Sequence, residues 1–218
     1  MGSPEYPREG SGDSFDRVVF FSDAVIAIAV TLMAVDIGVP EVEDVDSVQA
    51  LWEGLVAKGP NLIAYGVAFF WVAIYWRANH RFTATLRGMS STYIGVTLLF
   101  LGFIAVLPVP AAVLGEYTSN PLAVALFALV VAILSSLEVV LMLVAYRDRL
   151  YLNQPSRAQL RYQVLGSLTP VPGFLISIPV AFWSPLAAML CWFVCSFALG
   201  WLVSRADPDR GGGEAATA

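Results

Sequence analysis

The amino-acid sequence predicts an all-α membrane protein that crosses the bilayer six times. Composition is the first of three observations behind this reading. Of the 218 residues, 58% are hydrophobic and 13% charged, against roughly 45–50% and about 25% in soluble domains, and the mean hydropathy is +0.72. The second is a series of six apolar segments, each near the ~20 residues a helix needs to cross hydrocarbon. The third is an alternation of basic and base-poor loops between those segments.

The predicted spans are Val18–Val39, Asn61–Asn79, Thr92–Leu114, Pro121–Tyr146, Gln163–Trp183 and Pro185–Val203. The fifth contains Pro170, Pro172 and Pro179. Proline removes a backbone donor, so this span is expected to be a kinked helix whose freed carbonyls are satisfied by neighbours or water. Residues 1–16 are polar and rich in Gly, Pro and acids, with no apolar run of the kind a cleavable leader carries. They are expected to form a disordered tail, as are residues 206–218 with their Gly211–Gly213 run. The membrane domain is accordingly placed at 17–205.

The loop after the first span holds Glu41, Glu43, Asp44, Asp46 and Glu53, with Lys58 its one base. After the second come Arg77, Arg81 and Arg87 with no acid. Glu116 alone follows the third, and Arg147, Arg149, Arg157 and Arg161 follow the fourth. Basic loops are retained in the cytoplasm, so a cell-membrane protein with both termini cytoplasmic is expected. The first external loop contains Ser47–Lys58, where Val48, Leu51, Trp52, Leu55 and Val56 recur at helical spacing. This is an amphipathic helix, lying on the outer membrane surface or packed on the bundle as a plain connector.

Composition also excludes several classes. No basic stripe suits nucleic acid. Cys191 and Cys195, four apart in an apolar run, provide neither a disulfide framework nor zinc spacing and read as small hydrophobes. One His, no metal-ligand spacing and no nucleophile motif argue against an enzyme and imply no cofactor.

The first span is the unusual one. It carries Ser22, Asp23 and Thr31 in RVVFFSDAVIAIAVTLMAVD (17–36), and polar groups at membrane depth face protein or a water path. Helical spacing from Thr31 gives Ala24, Ile28, Thr31 and Val35, with Leu32 on the flank. Around a symmetry axis this stripe would make a narrow pore with rings of Ile28 and Thr31, and a ring of branched apolar side chains gates by dewetting. Equally, Thr31 could bond back to the Ala27 carbonyl and pack on a neighbouring helix. Asp23 suits the positive end of the helix dipole, or pairs with His80 or Arg81 at the corresponding end of the second span.

The run Arg17-x-x-x-Phe21-Ser22-Asp23 followed by Ala27–Leu32 resembles the signature of the prokaryotic relatives of the endolysosomal potassium channel, transmembrane protein 175. Tyr75–Phe82 (YWRANHRF) resembles that family's aromatic-and-His end of the second span, and Leu98–Leu101 with Leu107–Pro110 its third span. The resemblance implies a homotetramer whose first helix lines a central pore, conducting potassium among monovalent cations without a carbonyl selectivity loop. Carried over by residue, Ile28 matches the hydrophobic constriction, Thr31 the hydroxyl layer above it, and Leu32 and Val35 further apolar positions. Arg17, Phe21, Ser22 and Asp23 match the signature, with His80 a candidate partner. The family often carries Asn where Thr97 stands here, a smaller polar anchor.

Two carboxylates remain. Glu138, deep in the fourth span, is an ion or proton site or a bond to a neighbouring span. Asp36, at the external end of the first span, attracts cations or caps local structure. They leave a second functional class, a proton- or cation-coupled secondary transporter using Asp23, Asp36 or Glu138. Transporters of that kind often show paired half-repeats, and 18–114 and 121–203 show no convincing match.

Overall fold

The computed structural model describes residues 5–8 and 13–205. Residues 1–4, 9–12 and 206–218, with them much of the two expected tails, lie outside the described residues. Within the stretch read from composition as a tail, structure is present. Tyr6–Pro7 (β1) pair antiparallel with Gly88–Met89 (β2), in register Tyr6↔Met89, and helix α1 begins at Asp13. Glu5 accepts hydrogen bonds from the backbone N–H and the hydroxyl of Ser91, and the Arg8 guanidinium donates to the Ala84 carbonyl and lies over the Phe15 ring. These pairings hold a segment whose composition alone gives it no reason to fold.

The helices in order are α1 (Asp13–Val35), α2 (Val48–Ala57), α3 (Gly59–Ala84), α4 (Ser91–Val106), α5 (Pro108–Glu116), α6 (Pro121–Arg147), α7 (Arg157–Leu168), α8 (Pro170–Ala181) and α9 (Pro185–Arg205). Among the described residues they make six helical stretches long and apolar enough to cross a membrane, α4–α5 and α7–α8 each counting as one. The protein is thus a multi-pass, all-α membrane protein.

Where boundaries differ from the sequence expectation, local chemistry gives the reason. The first span ends at Val35 and not at Val39. Gly38 takes a left-handed φ of 68°, its N–H closes on the Val35 carbonyl at 3.1 Å, and Pro40 follows. Only glycine enters that conformation cheaply, so the chain turns there. The third span, expected as one helix, is two. Pro108 has no N–H to give, and α5 restarts after Leu107. In the fifth span the break falls at Thr169–Pro170, with Pro179 tolerated inside α8. The amphipathic segment after the first span forms α2 as expected, its N-terminus capped by Ser47, whose hydroxyl accepts from the Ala50 N–H at 3.2 Å.

The core is built around α6, which buries residues along most of its length against α4, α5 and α8. The Tyr75 hydroxyl on α3 meets the Val131 carbonyl at 3.1 Å and the Ser135 hydroxyl at 2.7 Å, so three buried polar groups satisfy one another. Trp71, Phe174, Trp192 and Phe127 form a continuous aromatic chain with centroids 4.9–5.3 Å apart. In it the Trp192 indole donates to Ser177 Oγ at 2.7 Å, and that hydroxyl donates to the Phe174 carbonyl. Cys191 and Cys195 are free thiols on α9. They face Gly173 of α8, whose missing side chain lets the two helices touch.

Candidate functional site

Helix α1 has two unlike faces. Phe15, Ser22, Ile26, Ala29 and Met33 are buried against the rest of the subunit, on the side where α1 meets α3, α4 and α5. On the other side, Ile28 is 58% exposed, Leu32 49% and Val35 73%, with Ala24 and Thr31 exposed beside them. The stripe singled out by helical spacing is therefore the face that the subunit itself leaves uncovered.

Thr31 donates its hydroxyl proton to the Ile28 carbonyl at 2.8 Å. That is the back-bonding a mid-helix threonine makes when no other acceptor is offered, one residue away from the expected Ala27. The second half of the packing alternative does not hold within the subunit, because no neighbouring helix covers Thr31. With its proton committed, Oγ1 presents only lone pairs, and it is the one side-chain oxygen on this apolar stripe.

The signature residues divide. Ser22 is buried and donates to the Val18 carbonyl at 2.8 Å. Asp23, half-buried, pairs with neither His80 nor Arg81. Its Oδ1 accepts from the Trp76 indole N–H at 2.9 Å, and His80 stacks on Trp76 at 5.6 Å between centroids. A side chain at position 76 reaches Asp23 while position 80 lies one turn further along α3, so His80 supports the donor and does not make the bond. Arg17 and Phe21 are exposed, and among the described residues Arg17 makes no hydrogen bond or ion pair. Trp76 had no assigned role in the sequence reading. Its spacing of four from His80 was the available signal, since that places both on one helix face.

Three further positions are clarified. Thr97 is buried on α4 and bonds back to the Tyr93 carbonyl at 2.9 Å, so it is satisfied within its own helix and joins no interhelical network. Asp36 is exposed just past α1, with its backbone N–H on the Leu32 carbonyl at 3.0 Å. Glu138 is half-buried on α6 and forms no hydrogen bond or ion pair among the described residues. The bond to a neighbouring span that was one reading of it is not made.

Comparison with known proteins bears on the same half of the chain. A family model described as the endosomal/lysosomal potassium channel TMEM175 matches residues 17–108. Over that segment the chain is similar to the TMEM175 family. A potassium channel of Streptomyces collinus is 38% identical over 101 residues, 46% of this chain and 48% of that protein. The endosomal/lysosomal proton channel TMEM175 of Mus musculus is 33% identical over 113 residues, 50% of this chain and 23% of that protein. The chain spans about half the length of the curated bacterial relatives it matches. The crystal structure of a TMEM175 homologue from Chamaesiphon minutus superposes with a TM-score of 0.72 at 21% identity, covering 88% of this chain and 98% of that one. At that identity the likeness speaks for the fold, and it extends beyond the TMEM175 segment into α6–α9.

Proposed function

We propose that this chain is the subunit of a potassium-permeable cation channel in the cell membrane, with residues 17–205 as the channel domain. Four copies surround a pore lined by the Ala24–Ile28–Thr31–Val35 face of α1. The observation that carries the reading is the exposed stripe itself. A helix whose other face is packed against three neighbours presents Ile28, Leu32 and Val35 outward, and the one side-chain oxygen on that stripe is a hydroxyl stripped of its donor. Lipid alone would not require that oxygen. A permeating cation would use it.

In this arrangement the Ile28 ring is the constriction, shedding water unless an ion forces hydration. The Thr31 ring then offers partial dehydration through its lone pairs. Asp23 and Trp76, with His80 stacked on the indole, fix α1 to α3 at the mouth of the pore, and Arg17, Phe21 and Ser22 stand on the adjoining turns of α1. The arginine content of the loops supports a cytoplasmic side for this mouth and for both termini. The relatives named as potassium and proton channels support the class of function.

The test is recording from purified protein in a bilayer with potassium on one side and sodium on the other. Ile28→Asn and Ile28→Ala are expected to change conductance or ion preference. If neither does, and Thr31→Ala also leaves flux unaltered, the pore assignment is wrong. The transporter reading has one supporting feature, the unpaired Glu138 carboxylate. Saturating, proton-coupled uptake lost in Glu138→Gln would select it instead.

A further inference from the structure

Away from α1, a cavity of about 290 Å³ opens between α3, α6, the α7–α8 break and α9. Its walls are aromatic. Phe70, Trp71, Phe193 and Phe197 line it, with Phe70 and Phe193 rings 5.6 Å apart and Trp71 and Phe193 rings 6.3 Å apart. Glu138 is the one ionisable carboxylate in the lining, which includes no Lys or Arg. The nearest buried hydroxyl, Tyr75, is already committed to Val131 and Ser135. The hydroxyls on the wall have also spent their protons, Ser167 on the Met142 sulfur, Thr169 on the Gly166 carbonyl and Ser196 on the Trp192 carbonyl. What remains toward the cavity is a carboxylate, hydroxyl lone pairs, ring faces and one donor, the buried Trp71 indole N–H, which has no partner among the described residues.

All of these but the indole N–H attract positive charge. An anion would meet no cation here, and a neutral hydrocarbon would leave Glu138 either charged without a partner or protonated, with no bond made to it in either form. A cation that is itself apolar over most of its surface satisfies both halves of the site. Its ammonium would neutralise the carboxylate, and ring faces attract a cation within about 6 Å. The volume is close to the lower end of small-molecule sites. We propose that this cavity is a binding site for a small hydrophobic organic cation, such as an arylalkylamine, with Glu138 as its counter-ion. The site lies on helices other than the stripe assigned to the pore, so its test does not depend on conduction.

The experiment is thermal unfolding of the purified full chain in detergent at fixed potassium concentration, with tryptamine as probe and its neutral counterpart tryptophol as control. Ligand binding to the folded state raises Tm in proportion to ln(1 + [L]/Kd), so tryptamine is expected to give a rise of roughly a few degrees that grows with the logarithm of its concentration above Kd, while tryptophol gives none. Glu138→Gln should abolish the rise. Ala78→Leu, which adds an isopropyl group at the lining, should abolish it while the carboxylate is still present. Phe197→Ala should weaken it, and Glu116→Gln, at the far end of α5, should leave it intact. Should Glu138→Gln not fold, the Ala78→Leu and Phe197→Ala proteins decide. Equal shifts from amine and alcohol would mean a lipophilic additive only, and would overturn the proposal. So would the absence of a wild-type shift, or a rise that survives in both Ala78→Leu and Phe197→Ala.

Discussion

The indole N–H of Trp76 donates to Oδ1 of Asp23 at 2.9 Å, joining the second transmembrane helix to the first turns of α1. Asp23 sits one turn before Ala27 and Ile28, so this bond sets where the exposed stripe of α1 points. It is also the one side-chain hydrogen bond between α1 and another helix among the described residues. The rest of that contact is apolar packing, which resists sliding and rotation less than a directed bond does.

Removing the donor while keeping an aromatic ring tests this relationship. Trp76→Phe and Asp23→Ala should each destabilise by about 1–2 kcal/mol, as for hydrogen bonds to charged groups with partial solvent access. The double variant should cost little more than either single one, read as a coupling energy from unfolding in detergent. His80→Ala, which removes only the stacked ring, should cost less. Strict additivity of the two single effects would mean that the bond contributes nothing.

Glycine 173 tests the α8–α9 packing. A Cβ built there would stand 2.9 Å from Cys195 Cβ and 3.0 Å from the Cys191 carbonyl oxygen. Both are rigid parts of a helix, so Gly173→Ala must separate α8 from α9. A loss of about 1–3 kcal/mol is expected, the usual range for overpacking. Gly102 in α4 has open space around it within the subunit, and Gly102→Ala should be neutral or stabilise by roughly 0.5–1 kcal/mol. Comparable Tm values for the two variants would refute the close approach.

Much of this architecture is legible in the sequence because hydrocarbon demands long apolar helices and charge sorts the loops between them. The Ala24–Ile28–Thr31–Val35 spacing likewise identified the face that stays uncovered. What escaped has a common physical cause, which is that it depends on partners far apart in the chain. Composition marks Glu5–Arg8 as tail, yet its backbone pairs with residues 88–89, some 80 positions away. Asp23 reads as a partner for His80 or Arg81 because charge suggests a cation. The structure supplies an indole donor one turn earlier, and only the i, i+4 relation of Trp76 to His80 hinted at it. The restart at Pro108 was visible as a residue and missed as a break, since hydropathy runs straight through it.

Acid should loosen the joint between the fourth-span helix α6 and the start of α4. Asp148 follows α6 and is held there by Arg147, whose Nε donates to Oδ1 at 2.8 Å, and by the Ser90 hydroxyl, which donates to Oδ2 at 2.7 Å. Ser90 in turn accepts from the Tyr93 N–H and caps α4. The hydrogen bond from Arg147, before that from Ser90, lowers the Asp148 pKa against an opposing effect of burial. A carboxyl whose folded pKa is depressed adds stability above its unfolded value of about 3.9, and that stability fades as pH falls through the lower folded value. Asp148→Asn should therefore lower Tm at neutral pH and make Tm less sensitive to acid below about pH 4. An unchanged pH profile would show that the Arg147–Asp148–Ser90 cluster carries no linkage.

Substitutions at Thr31 separate an oxygen that meets ions from one that merely satisfies its own helix. Thr31→Val keeps the shape of the side chain and removes the oxygen. Thr31→Ser keeps the oxygen and removes a methyl. Since the hydroxyl proton is held by the Ile28 carbonyl, a structural role would make Val harmless or slightly stabilising, because the back-bond offers a helix little. A conducting role predicts the reverse order, with Ser near wild type and Val impaired. An ion–oxygen contact comparable to a charged hydrogen bond, about 1.5 kcal/mol, corresponds to roughly tenfold in a rate. Potassium flux through Thr31→Val should fall by that factor or more in the bilayer assay, with Tm unchanged. If the Val variant conducts as the wild type does and the Ser variant does not, the branched methyl is the part that matters, and the stripe works by shape alone.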